Sequence, residues 1–195
     1  MKNLLTIIFA ILIQSAFAQA DFNFYYGIDL INIGKNSIAW NARDASSIGL
    51  KVRFPYKEIY LGGTVSFTKY NLSRPDHKYK MEMSKYELSI SRSFQVKKKL
   101  DLLVELHPYA RYFNTDLFSA SLKVDECNFG LGLYTGLNYV ITKKLKIGLG
   151  YSIDRDIFAS AMSSSEITDN DRFIKMTVHS LLLNMTIPII YRNRK

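Results

Sequence analysis

From Phe129 to Ile141 the chain reads FGLGLYTGLNYVI, and its alternation is strict. Phe129, Leu131, Leu133, Leu137, Tyr139 and Ile141 fall on one parity; Asn128, Gly130, Gly132, Tyr134, Gly136 and Asn138 fall on the other. Successive side chains of a strand point to opposite sides, so this segment has one broad apolar face and one face of small and polar groups. Strands of this kind close into a barrel in one of two ways, with the apolar face turned inward around a ligand or outward against lipid. The chemistry of the other face decides between them.

The pattern recurs along the chain and predicts eight strands. Phe22, Phe24, Tyr26, Ile28 and Leu30 oppose Asn23, Tyr25, Gly27 and Asp29; Ile48, Leu50, Val52 and Phe54 oppose Ser47, Gly49, Lys51 and Arg53. A third strand sets Ile59, Leu61, Val65 and Phe67 against Tyr60, Gly62, Thr64, Ser66 and Thr68, and a fourth sets Tyr86, Leu88, Ile90 and Phe94 against Glu87, Ser89, Ser91 and Ser93. In the fifth, Leu100, Leu102, Val104, Leu106, Ala110 and Tyr112 oppose Asp101, Glu105, His107, Tyr109 and Arg111. The FGLGLYTGLNYVI segment is the sixth. A seventh sets Leu145, Ile147, Leu149, Tyr151 and Ile153 against Lys146, Gly148, Gly150, Ser152 and Asp154. The eighth, within 173–191, is blurred by Leu182 and Ile190, and Pro188 predicts a bulge or an early strand end there.

The connections alternate as well. PYKE, QVKKK and TKK are short; GKNSIAWNARDAS, NLSRPDHKYK, NTDLFSASLKVD and the stretch from Arg155 to Arg172 are long. An up-and-down barrel would then carry its tight turns and both chain ends at one rim and its long loops at the other, the asymmetry of outer-membrane barrels.

A soluble barrel of the lipocalin kind is the rival, with polar side chains in water. The polar face argues against it, because Gly27, Gly49, Gly62, Gly130, Gly132, Gly136, Gly148 and Gly150 suit a crowded interior better than a solvated surface. It also mixes hydroxyls with charges of both signs, Asp29, Lys51, Arg53, Glu87, Glu105, Arg111, Lys146 and Asp154, and buried charges persist when paired. Phe54, Phe94, Tyr112, Tyr151 and Tyr191 fall near strand ends, where an aromatic girdle would meet the membrane interface. The expected fold is therefore all-β: a transmembrane antiparallel up-and-down barrel of eight strands.

The first eighteen residues, MKNLLTIIFAILIQSAFA, have a positive start at Lys2, an apolar stretch from Leu4 to Ile13 and an Ala16-x-Ala18 ending. That is the pattern of a cleaved secretory signal, and the apolar run is shorter than the roughly 18–20 residues of a spanning helix. The expected division is 1–18 as signal peptide and 19–195 as barrel. Losing Lys2 from the 26 basic residues leaves a net charge of +8. The basic residues form no single stripe and the chain is exported, so a nucleic-acid partner is not expected. Cys127 is the one cysteine, so no internal disulfide forms, and a shielded position is expected for it. No cofactor fingerprint is present.

Taken together, strand number, turn pattern and signal segment make the chain resemble the eight-stranded outer-membrane proteins of the OmpA and OmpX type, including the compact outer-membrane β-barrel proteins of Bacteroidetes. The chain departs from such barrels at its end, YRNRK, where Tyr191 is not the terminal residue. The resemblance implies the outer membrane of a Gram-negative bacterium, with periplasmic termini and extracellular loops. It also implies outer-membrane lipid and lipopolysaccharide as surroundings and an envelope protein complex as a possible context.

An eight-stranded lumen is filled by side chains. The expected interior network is Asp29, Lys51, Arg53, Glu87, Glu105, His107, Arg111 and Lys146, with a structural role, and Trp40 is the candidate loop contact. The expected function is structural, adhesive or that of an accessory subunit, without catalysis. The alternatives are a narrow ion path through Lys51, Glu105 and Arg111, and a lipid A-modifying enzyme. For the enzyme, His107 is more simply an interior histidine hydrogen-bonded to Glu105 or Tyr109, and His179 and Ser180, adjacent on a strand, face opposite ways. Glu166, Asp169 and Asp171 crowd the longest loop without the glycine and closing glutamate of a calcium loop, so no metal site is expected. At the opposite rim Lys57, Lys97, Lys98, Lys99, Lys143, Lys144, Arg192, Arg194 and Lys195 gather, which can attract anionic headgroups.

Overall fold

In the computed structural model, residues 19–33, 41–74, 77–118, 122–161 and 175–190 are described. They form eight strands: β1 Gln19–Ile33, β2 Asn41–Tyr56, β3 Ile59–Arg74, β4 His77–Lys97, β5 Leu100–Phe118, β6 Leu122–Thr142, β7 Leu145–Ala161 and β8 Met176–Ile190. Each pairs antiparallel with its neighbours in chain order, and β1 pairs with β8 from Gln19↔Ile190 to Ile33↔Met176, closing the barrel.

Burial is inverted relative to a soluble domain. Leu30, Leu88 and Phe158 are 70, 71 and 68% exposed, whereas Arg111 and Asn128 are fully buried. Such a belt of exposed Leu, Ile, Phe and Tyr on every strand would be unstable in water, and a closed ladder leaves no backbone group unpaired toward hydrocarbon. The apolar parity therefore faces lipid and the glycine-rich parity fills the lumen. The molecule is a transmembrane barrel.

Three hairpins turn through two residues each, at Lys57–Glu58, Lys98–Lys99 and Lys143–Lys144. Lys57 takes a left-handed backbone (φ 56°), as tight hairpins demand of a central residue. At the other rim the strands run further than the alternation predicted. NARDAS belongs to β2, most of NLSRPDHKYK to β3 and β4, and Asn114–Phe118 and Leu122–Asp125 to β5 and β6, so Arg74 and His77 are separated by Pro75 and Asp76 alone. The reason is physical: strands of 15–21 residues exceed the roughly 9–11 that cross a bilayer. Past the apolar belt the backbone pairing continues, but the sequence there carries no apolar alternation to reveal it.

Pro188 also corrects the expected break. It stays in register opposite Asp21, and β8 continues to Ile190. On its other side the pairing with β7 ends at Thr186, so the missing N–H interrupts no ladder there. Leu182 turns inward and joins Leu103, Tyr134 and Tyr25 in a small apolar cluster within the lumen. Cys127 is buried and free. The segment 1–18, Ile38, Trp40, the acidic residues Glu166, Asp169 and Asp171, and Tyr191 lie outside the described residues.

Candidate functional site: the charged lumen

The lumen is an ion-pair lattice whose central links join non-adjacent strands, β2 to β5, β4 to β7 and β5 to β7. Its centre is a row on β5, β6 and β7 in which His107 pairs with Gly132 and Gly132 pairs with Asp154. A Cβ at Gly132 would meet both His107 Nε2 and Asp154 Oδ1. With that atom missing, the imidazole reaches over β6 to the carboxylate, Nε2 to Oδ1, at 2.9 Å. The next row repeats the device: Tyr109 pairs with Gly130, Gly130 with Asp156, and the tyrosine hydroxyl donates to Asp156 Oδ1 at 2.8 Å. Gly132→Val should lower stability by about 1–3 kcal/mol, the usual cost of overpacking, seen as a lower urea midpoint for loss of the heat-shifted gel band.

Around these rows the charges interlock. Lys85 reaches Glu87 at 2.6 Å and Asp154 Oδ2 at 2.5 Å, and Arg111 lies 2.8 Å from Asp156 and 3.6 Å from Asp154. Lys51 binds Glu105 directly. Asn128 Nδ2 donates to Asp156 at 2.7 Å, and the Met176 backbone N–H at 2.9 Å. Toward the tight-turn end, Arg53 lies 3.8 Å from Asp21, and Lys146 pairs with Asp101 at 2.9 Å. Asp29 accepts from Ser47 Oγ at 3.3 Å.

Thus Asp29, Lys51, Arg53, Glu87, Glu105, His107 and Arg111 all lie buried within the barrel, with Lys146 partly buried near its turn end. Two details differ from expectation. His107 hydrogen-bonds to Asp154; Glu105 stands 3.5 Å from its Nδ1, outside bonding geometry, and Tyr109 makes only a tilted ring contact. Lys51–Glu105 and Arg111 belong to different parts of the lattice, joined through His107, Asp154 and Lys85.

Sequence reasoning missed Lys85 and Asp156. Lys85 shares the parity of Glu87 just before the apolar run of β4 begins. Asp156 falls in the stretch that reads as loop, and a bulge beside it sends both Ile157 and Phe158 outward. Parity extended two residues at each strand end would have found Lys85, though not the bulge.

Glu87, His107 and Asp154 bring three metal-type ligand atoms within 4.8 Å of one another. The Lys85 ammonium already sits against both carboxylates, so the charge a metal would supply is present as a side chain. The cavity lined by these side chains offers about 30 Å³ to the centres of water molecules, room for about two of them. On the outer face, Tyr151 Oη and His179 Nδ1 are 2.5 Å apart, while Ser180 points into the lumen, so the adjacent His179 and Ser180 do not meet.

No family model and no curated protein sequence matches the chain. Solved structures do. Neisserial surface protein A superposes with a TM-score of 0.63 over 87% of this chain and 96% of that one, at 12% identity. The fold is that of the eight-stranded outer-membrane barrels. AlkL, determined in lipid bilayers, matches this barrel with a TM-score of 0.57 at 10% identity, over 88% of this chain and 90% of that one. Ail of Yersinia pestis, in complex with the heparin analogue sucrose octasulfate, matches it at 0.55 and 11% identity, over 88 and 98% of the two chains. At such identities the likeness lies in the fold rather than in shared side chains.

Proposed function

We propose that the protein is an integral barrel of the Gram-negative outer membrane, exported by removal of residues 1–18, with its tight turns and chain ends in the periplasm and its loops outside. Its work is done at the surface, in a structural, adhesive or accessory-subunit role without catalysis, and not by transport through the lumen. The observation that carries this reading is the lumen itself, where Lys51, Lys85, Arg111, Glu87, Glu105, Asp154 and Asp156 cross-link the wall around a cavity that offers about 30 Å³ to the centres of water molecules. Passage of a hydrated ion through such packing would require breaking buried ion pairs.

Purified protein in a planar bilayer is expected to give no steady conductance of porin size. A reproducible current graded by ion radius would overturn the closed-lumen reading. Extraction from native membranes in mild detergent, followed by mass spectrometry, separates the remaining roles: a stoichiometric protein companion marks an accessory subunit, and a lone barrel points to adhesion or envelope structure.

A further inference from the structure

The lumen accounts for most charged side chains of the wall, but not for the lysines of the turn rim. Lys57, Lys97, Lys98, Lys99, Lys143 and Lys144 are all exposed, and none makes an ion pair among the described residues. The acids near them are already engaged, Glu58 with Arg92 and Asp101 with Lys146. The three turns follow β2, β4 and β6, so they stand a quarter of the circumference apart. The fourth quarter lies past Ile190, where the described residues end. Just inside these lysines, Tyr56, Phe94 and Tyr139 point outward as a partial aromatic girdle, the level at which a barrel meets headgroups.

We infer that this rim binds the phosphates of anionic phospholipids in the turn-side leaflet. A protein partner would find cations grouped on one side, whereas lysines at three successive quarters of the rim, stationed just beyond the aromatic level, match an annulus of lipid. Basic residues at headgroup level are drawn to anionic lipid, and the attraction weakens as salt screens it. The inference rests on the outward face being lipid-facing, and its test separates the two.

The protein is inserted into phosphatidylcholine vesicles carrying a trace of spin-labelled phosphatidylglycerol or spin-labelled phosphatidylcholine, and the motionally restricted fraction of each label is compared. Phosphatidylglycerol should be favoured about two- to fivefold at low salt, falling toward parity in ~0.5 M salt. The combined variant Lys97→Gln, Lys98→Gln, Lys99→Gln, Lys143→Gln, Lys144→Gln should lose that preference while keeping its heat-dependent gel shift. Equal association of both lipids with the unaltered chain overturns the inference, as does a preference that persists in the folded variant. If the variant does not fold, the salt titration of the unaltered chain decides, since a preference indifferent to salt is not electrostatic. Failure of the unaltered chain to insert at all overturns the lipid-facing assignment and the rim inference with it; insertion without selection overturns the rim alone.

Discussion

Asp154→Ala should destabilise the folded barrel by about 3–5 kcal/mol, the cost of leaving buried charges without their partner. Asp154 sits at the crossing of the lattice, 2.5 Å from Lys85, 2.9 Å from His107, 3.1 Å from Ser152 and 3.6 Å from Arg111. Truncation leaves the Lys85 ammonium with Glu87 as its carboxylate partner among the described residues and removes the hydrogen bond that holds His107 Nε2. Asp154→Asn, which preserves shape and one acceptor, should recover part of the loss. The check is urea unfolding in vesicles, scored by the gel mobility of the folded form. An unchanged midpoint would mean that water reaches the lumen freely enough to solvate Lys85 and Arg111. As a contrast, Glu58→Ala breaks only the exposed contact with Arg92 and should cost about 0.2–1 kcal/mol.

Leu183→Arg should cost about 2–4 kcal/mol, the penalty for an arginine on the lipid face near the bilayer midplane. Leu183 is 57% exposed and lies opposite Tyr26 on one side and Leu149 on the other, in the middle of the apolar belt. The number is informative because the alternative predicts almost nothing. Were this surface in water, replacing an exposed leucine by arginine would change stability by about 0.5 kcal/mol or less. Comparing urea midpoints in vesicles therefore tests the lipid-facing assignment directly, and an effect within that smaller range would sink it.

The membrane-crossing part of the fold was legible because each face there meets one uniform medium. Leu131, Leu133 and Leu137 meet lipid and Gly130, Gly132 and Gly136 meet crowded lumen, so parity alone sorts them. Legibility stopped where the alternation did. NARDAS and NLSRPDHKYK carry no apolar parity and so read as loop, although the first lies in β2 and the second, apart from Pro75 and Asp76, in β3 and β4. Which interior groups meet was harder still. Parity places His107 and Asp154 in the same lumen, but their pairing depends on register across two ladders and on a missing Cβ at Gly132 between them. Only the packed barrel shows that the glycines are the gaps through which β5 reaches β7. The loop residues, Trp40 among them, carry no alternation from which to argue, and their part in the function rests with the surface experiments.

The seam between β1 and β8 has a consequence for how the chain must come to exist. Every other ladder joins segments that are consecutive in sequence and can zip outward from a local hairpin, whereas the seam unites Gln19 with Ile190 and so waits on nearly the whole polypeptide. Until it forms, fifteen residues on each side expose unpaired amides and carbonyls, and hydrocarbon offers them no substitute partner. A partly zipped sheet therefore has no resting place in the bilayer. Entry into the membrane and the meeting of first strand with last must occur as one event, and the fifteen residues of β8 decide whether the other seven strands can stay there.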